Sequence, residues 1–233
     1  MKKVILVSGR MQSGKNAFAD IIKEKYKASG KIVLMDLFAK GVKDGCNEDF
    51  LKLKGYLNTH VEQSKEMLDV LQSISKSHLS SYGIASNPIK ENIYKLGVHL
   101  NKLSILDENW YEDKTDLTRT LLQTYGTEIF RHRVHNDYWI NQTRDRIIDS
   151  DADVIIITDV RFPNEMDSLN LPKDFIVVPV RVERETVFSK NTHESETALD
   201  NYDFEYVIDN NGSMETLIES ADALIECLEN VNT

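Results

Sequence analysis

One junction near the N-terminus constrains this chain more than any other feature. Val4-Ile5-Leu6-Val7 is a short, continuously apolar, largely β-branched run, the pattern of a strand buried on both faces. It is followed by Gly9-Arg10-Met11-Gln12-Ser13-Gly14-Lys15-Asn16, which fits GxxxxGK with Asn at the last position, where Ser or Thr is usual. A helical pattern then begins, with Phe18, Ile21 and Ile22 on one face, and Gly30 closes it before a second strand at Lys31 to Met35. Strand, glycine turn, helix and strand in that order make a βαβ unit, which commits the chain to a parallel α/β sheet.

The same buried-strand pattern returns at Asp153 to Thr158 and at Phe175 to Val180, where Pro179 predicts a sheet edge or a strand end. Tyr206-Val207-Ile208 is a last short strand. The final helix carries Met214, Leu217, Ile218, Ala221, Leu224, Ile225 and Leu228 as one apolar stripe behind Ser213 as N-cap. Between about Phe38 and Ser150 the periodicity is helical, with Met67, Val70, Leu71 and Ile74 in one run and Leu117, Leu121, Leu122 and Tyr125 in another. A polar stretch from Ser80 to Pro88 reads as a loop between helices. The expected organisation is one domain over residues 1–233 with a mainly helical insertion at 38–150.

The chain has 233 residues, long enough for such a core without disulfide or metal staples. With four prolines and no biased segment, collagen-like and disordered classes are excluded. No apolar run approaches the roughly 18 residues of a membrane span, and the start turns polar too early for a signal peptide. Cys46 and Cys227 make no CxxC pair, so a cytoplasmic protein is expected. A formal charge of −10 argues against a broad nucleic-acid surface. Within that acidic chain, eight of the nine arginines fall between Arg119 and Arg184, a local excess that points to a confined anion site.

The chemistry of the glycine loop follows from its residues. Gly9 and Gly14 permit a tight turn whose backbone N–H groups face phosphate oxygens, Lys15 adds a mobile charge, and the helix N-terminus adds its partial positive charge. Asn16 stands where a hydroxyl would reach Mg²⁺, and an amide oxygen can still reach the ion or one of its waters. Asp159 follows an apolar strand and emerges at the carboxyl rim of the sheet, suited to hold Mg²⁺ or to cap a helix near Pro163; Arg161 lies two residues on, at the same rim. Arg119, Gln123, Thr127 and Arg131 recur every four residues, which on an α-helix sets a phosphate-gripping polar stripe on one face, with Gly126 letting a ligand or backbone approach. His132 and His135 have no clear third ligand nearby and read as phosphate-adjacent or structural histidines.

These blocks together resemble a known family. SGRMQSGKNAFAD (Ser8–Asp20), LLQTYGTEIFRHRVHNDYWI (Leu121–Ile140), IITDVRFPNE (Ile156–Glu165), HESETAL (His193–Leu199) and VIDNNGSMETL (Val207–Leu217) are similar to the phage-type deoxynucleoside monophosphate kinases. Residues 45–115 add little to the likeness. The resemblance implies a three-layer P-loop NTPase fold: a five-stranded parallel sheet, helices on both faces, and a helical acceptor-binding insertion. It implies transfer of the γ-phosphate of ATP, with Mg²⁺, to a deoxynucleoside monophosphate. It also implies no membrane, no direct nucleic-acid partner, and work in the cytoplasm of an infected bacterium, with a homodimer left open.

Roles follow residue by residue. ATP would lie on Gly9, Arg10, Gln12, Ser13, Gly14, Lys15, Asn16 and Ala17, with its base near Asn210, Asn211 and Gly212. The monophosphate would meet Asp36, Phe38, Lys43, Arg119, Gln123, Gly126, Thr127 and Arg131. Asn16 and Asp159 would place Mg²⁺, and Lys15, Arg131, Arg161 and Arg184 would serve the transfer. Residues 182–203, carrying Arg184, His193, Ser195 and Glu196, look like a lid, with His193 and Glu196 ordering it. Two further readings stay open at this point: another P-loop small-molecule kinase, phosphomevalonate-kinase-like or dephospho-coenzyme-A-kinase-like, and a nucleotide-binding regulatory module without turnover.

Overall fold

The computed structural model describes residues 1–59, 115–185 and 193–230. The periodic run at Met67 to Ile74 and the Ser80 to Pro88 stretch lie outside the described residues. The chain divides into two compact units, one of residues 1–38 with 140–233 and one of residues 39–139.

The first unit is built on a five-stranded, all-parallel sheet. Its strands are β1 (Lys2–Ser8), β2 (Val33–Asp36), β3 (Val154–Ile157), β4 (Phe175–Glu183) and β5 (Tyr206–Asp209), in the spatial order β2-β3-β1-β4-β5. Strand alternation assigns each side chain to a face. Ile5, Val7, Val154 and Ile156 pack with α1 (Lys15–Ala28) and with the C-terminal helix (Met214–Asn230). Val4, Leu6, Ile155 and Ile157 pack on the other face with Ile140 and Ile147. A strand covered on both faces has to be apolar at every position, which is why these runs do not alternate. This is the α/β, P-loop-type fold expected from the sequence.

Three local expectations need correction. Pro179 does not mark an edge: β4 is an interior strand, bonded to β1 and β5. Pro179 pairs with Leu6, and pairing with β5 starts only at Val180, so the strand's outer side is still open at the proline. The second strand starts at Val33, because Lys31 N–H still closes the preceding helix on Tyr26 C=O. In the last helix Met214 and Ile218 face solvent, and the buried stripe is Leu217, Ala221, Leu224 and Leu228.

In the second unit, α2 (Phe38–Thr59) begins at the unit boundary and α3 (Asp116–Gln123) is capped by Thr115, whose Oγ1 accepts from Thr118 N–H. α3 does not continue as an α-helix. From Thr124 to Val134 the chain is π-helical for 11 residues, and His135 N–H closes the run on Phe130 C=O, five residues back. Helix α4 (Tyr138–Ile148) follows and leads back to the sheet. The remaining short helices are α5 (Asn164–Asp167) and α6 (Glu194–Thr197), and Met214–Asn230 is α7.

Candidate active site

The glycine loop leaves β1 at Ser8 and enters α1 at Lys15. Its two glycines are required for different reasons. A Cβ on Gly9 would lie 2.6 Å from Val182 C=O, so the loop can leave the sheet this close to β4 only without a side chain. Gly14 has φ +91°, a left-handed conformation that L side chains avoid, and a Cβ there would meet the Asn210 side-chain amide. Gln12 also takes a positive φ, 67°.

The α1 N-terminus carries no side-chain cap and no acidic residue in its first turn, while Lys25 and Lys27 stand in its last turn. Its first N–H groups and positive dipole end are therefore left for an anion. Lys15 Nζ donates to Arg10 C=O at 3.2 Å. Burial pushes its pKa down to about 8, and the neighbouring Arg161 guanidinium adds to the shift.

Around Lys15 the sheet rim carries arginines held by carboxylates. Arg161 pairs with Glu196 at 2.6 Å, and its backbone N–H donates to the carboxylate of Glu165, which is only 2% exposed. Arg181 is buried, donates to Ser8 Oγ at 3.2 Å and lies 3.5 Å from Asp200; Arg10 of the loop bonds the other oxygen of Asp200 at 3.0 Å. Arg184 is exposed just beyond β4. His193 caps α6, its Nδ1 accepting from Ser195 N–H. Residues 186–192 of the lid-like segment lie outside the described residues.

The Asp159 Oδ1 accepts from Phe38 N–H at 2.9 Å and so fixes the start of α2. Asp36 is buried, with Oδ1 accepting from Leu37 N–H and Oδ2 ion-paired to Arg146 at 2.9 Å. Its charge is thus spent on tying the β2 end to α4. Phe38 is a core side chain, 3% exposed, packed with Ile140 and Ile157. Asn211 holds its own turn, donating to Asp209 at 2.6 Å and accepting from Glu185 N–H at 2.9 Å. Gly212 sits against Thr216.

In the second unit the π-helix alters the geometry of the polar stripe. Four residues overshoot a full turn of α-helix and fall short of one in a π-helix, so the two drifts oppose each other. Arg119 and Gln123 are α-helical and Thr127 and Arg131 π-helical, and the mixture keeps all four closer to one line than a continuous α-helix would. Thr127 and Arg131 are buried, and Arg131 donates to Asn136 C=O at 3.1 Å. Gly126 packs against Val42 of α2, where a Cβ would lie 3.0 Å from a methyl group. The close approach that glycine permits is therefore to α2. The Gly126 carbonyl accepts from Trp139 Nε1 at 2.8 Å, beside an aromatic cluster of Tyr125, Phe130, Tyr138 and Trp139.

A family model described as deoxynucleotide monophosphate kinase matches residues 3–221. The chain belongs to the deoxynucleotide monophosphate kinase family. It is 34% identical to the deoxynucleoside-5'-monophosphate kinase of Escherichia phage T5 over 108 residues, a stretch that is 43% of each protein. It is 27% identical to the deoxynucleotide monophosphate kinase of Enterobacteria phage T4 over 237 aligned positions, 92% of this chain and 95% of that protein. This kinase therefore uses ATP as co-substrate and a nucleotide as acceptor, and no described helix is long and apolar enough to cross a membrane.

Sequence reasoning overlooked three partners in the kinase: Asp200, Glu165 and the contact that Asn210 makes with the loop. Asp200 reaches Arg10 and Asn210 reaches Ser13 across long stretches of chain, whereas Glu165 accepts from the Arg161 and Phe162 N–H groups only a few residues before it. Asp200 carries one signal, lying four residues beyond Glu196 in a segment that resembles the family.

Proposed function

We propose that this deoxynucleotide monophosphate kinase divides its reaction between the two units, ATP being handled by the first and the acceptor monophosphate by residues of the second. The observation that supports the reading best is the uncapped start of α1 behind the glycine loop, with Lys15 as its first residue. The loop amides from Gly9 to Ala17 and Lys15 would bind the β and γ phosphates, and the turn at Asn211 and Gly212 would take the base. Arg131, Arg161 and Arg184 would offset charge on the transferred group. Such chemistry rests on positioning and charge more than on a strong base.

Arg161 has a specific step to make. It is paired to Glu196, so engaging a phosphate means exchanging one anion for another, and α6 would move with that exchange as part of a lid that excludes water. The acceptor would lie along Arg119, Gln123, Thr127 and Arg131, with Gly126 keeping α2 close and Lys43 contributing charge. Asp36 and Phe38 would shape the strand end rather than touch the nucleotide.

The donor set suits Mg²⁺. That ion keeps several waters and takes one or two carboxylates beside substrate phosphates, and Asp159 and the exposed amide of Asn16 would supply such a partial shell. When bound, the ion would neutralise charge on the β and γ oxygens.

The test is diphosphate formation from Mg-ATP with a panel of deoxynucleoside and ribonucleoside monophosphates, phosphomevalonate and dephospho-coenzyme A. Deoxynucleoside diphosphates should form, and Lys15→Ala should lower kcat by about a hundredfold or more. Turnover of a non-nucleotide acceptor alone, or ATP binding with no product at all, would overturn the reading.

A further inference from the structure

Asn210 follows the last residue of β5 and lies beside the glycine loop, 196 positions after Gly14 by the numbering. Its backbone N–H donates to Glu183 C=O at 2.8 Å, which fixes it to the end of β4. Its side-chain Nδ2 donates to Ser13 C=O at 2.8 Å. The next residue of the loop is Gly14, whose missing Cβ is the space the Asn210 amide occupies. Consecutive loop residues are thus held by one side chain in two independent ways, a hydrogen bond and a close steric fit.

The consequence lies in peptide geometry. A trans peptide points its C=O and N–H in opposite directions. Drawing the Ser13 carbonyl towards Asn210 therefore turns the Gly14 N–H away from Asn210. Ser13 Oγ is buried without a hydrogen-bond partner among the described residues, so the Ser13 side chain does not do this work itself. The anchor behind Asn210 is firm, since Asn211 bridges Asp209 and Glu185.

We propose that Asn210 is a positioning residue for ATP, setting the Ser13–Gly14 peptide plane so that the Gly14 N–H is presented to a phosphate oxygen, and locking the phosphate loop to the turn at 209–212. The proposal rests on the assignment of ATP to the glycine loop. It explains why an amide stands here: a carbonyl oxygen needs a donor, and an ionised carboxylate of the same shape has none.

The experiment compares wild type, Asn210→Asp, Asn210→Ala and Lys15→Ala by calorimetric ATP binding and by KM for each substrate across a pH series. Asn210→Asp and Asn210→Ala should both bind ATP about tenfold more weakly or worse, with KM for the monophosphate unchanged. As the pH falls through about 4 the aspartic acid gains an O–H donor, so Asn210→Asp should recover ATP affinity relative to wild type while Asn210→Ala should not. Wild-type ATP affinity in both variants, an equal rise in both KM values, or a loss in Asn210→Asp as insensitive to pH as that of Asn210→Ala would overturn the proposal. If Asn210→Asp does not fold, the KM split in Asn210→Ala decides. Failure of the underlying assignment would look different: Lys15→Ala would bind ATP as wild type does.

Discussion

On the proposed reading, the two units would hold an anionic ligand by different means. In the sheet unit the candidate groups are mostly backbone, the loop amides and the open end of α1, and they would be aimed by glycines, by β1 and by Asn210. In residues 39–139 the candidate groups are side chains, Arg119, Gln123, Thr127 and Arg131, and they are aimed by an α-helix that turns into a π-helix. Backbone recognition depends on conformation and leaves a short motif in the sequence. Side-chain recognition depends on helical phase, which no short motif records.

The strongest way to break the comparison is Gly14→Ala. The substitution places a methyl group on the Asn210 amide and forces a left-handed φ on an L residue, for which the backbone alone costs about 1–2 kcal/mol. ATP-dependent turnover should fall by about a hundredfold or more. Equilibrium binding of a deoxynucleoside monophosphate in the absence of ATP should stay at the wild-type value. Loss of both bindings together would show that the two units do not hold their ligands separately.

That asymmetry also explains what could be read from the sequence. The five strands, their parallel arrangement and the glycine loop were legible because burial on both faces demands unbroken apolar runs, and because GxxxxGK is local. Pro179 misled because its tolerance depends on where β5 begins to pair, a long-range fact. The polar stripe was legible as residue types at a spacing, whereas the π-helical turn that sets its phase was not. Nothing in Thr124 to Val134 marks a change of helix type by itself. The packing of Gly126 on Val42 and the bond from Trp139 to the Gly126 carbonyl are likewise contacts that no local pattern records. Asp200, the carboxylate shared by Arg10 and Arg181, escaped for the same reason that the Asn210 contact with the loop did.

A smaller effect with the opposite signature is expected from Trp139→Phe. The ring is retained in the aromatic cluster, and the donor to the Gly126 carbonyl is lost. Stability should fall by about 1 kcal/mol, measured by denaturant unfolding. The π-helix then loses a side-chain tether at the residue between Gln123 and Arg131, so KM for the monophosphate should rise while KM for ATP holds. A rise in KM for ATP instead would remove the proposed division of labour between the two units.

The smallest expected effect sharpens the sheet unit alone. Lys15 is mostly withdrawn from water and faces Arg161, and its pKa in the free protein is about 8 against an ordinary 10.5. Between those two values the unfolded chain binds more protons at this position than the folded one, so this residue makes the free protein more stable as pH rises through that window. ATP reverses the preference, because a bound phosphate favours the charged ammonium. ATP affinity should therefore decline as pH climbs past about 8, and binding at pH 9 should take up a proton that binding at pH 7 does not. Calorimetry of ATP binding in buffers of different ionisation enthalpy measures that uptake directly. Lys15→Arg, whose guanidinium stays charged throughout, should show none of it. If the wild-type protein takes up no proton at pH 9, Lys15 is already charged in the free loop, and the desolvated, arginine-crowded setting described for it is wrong.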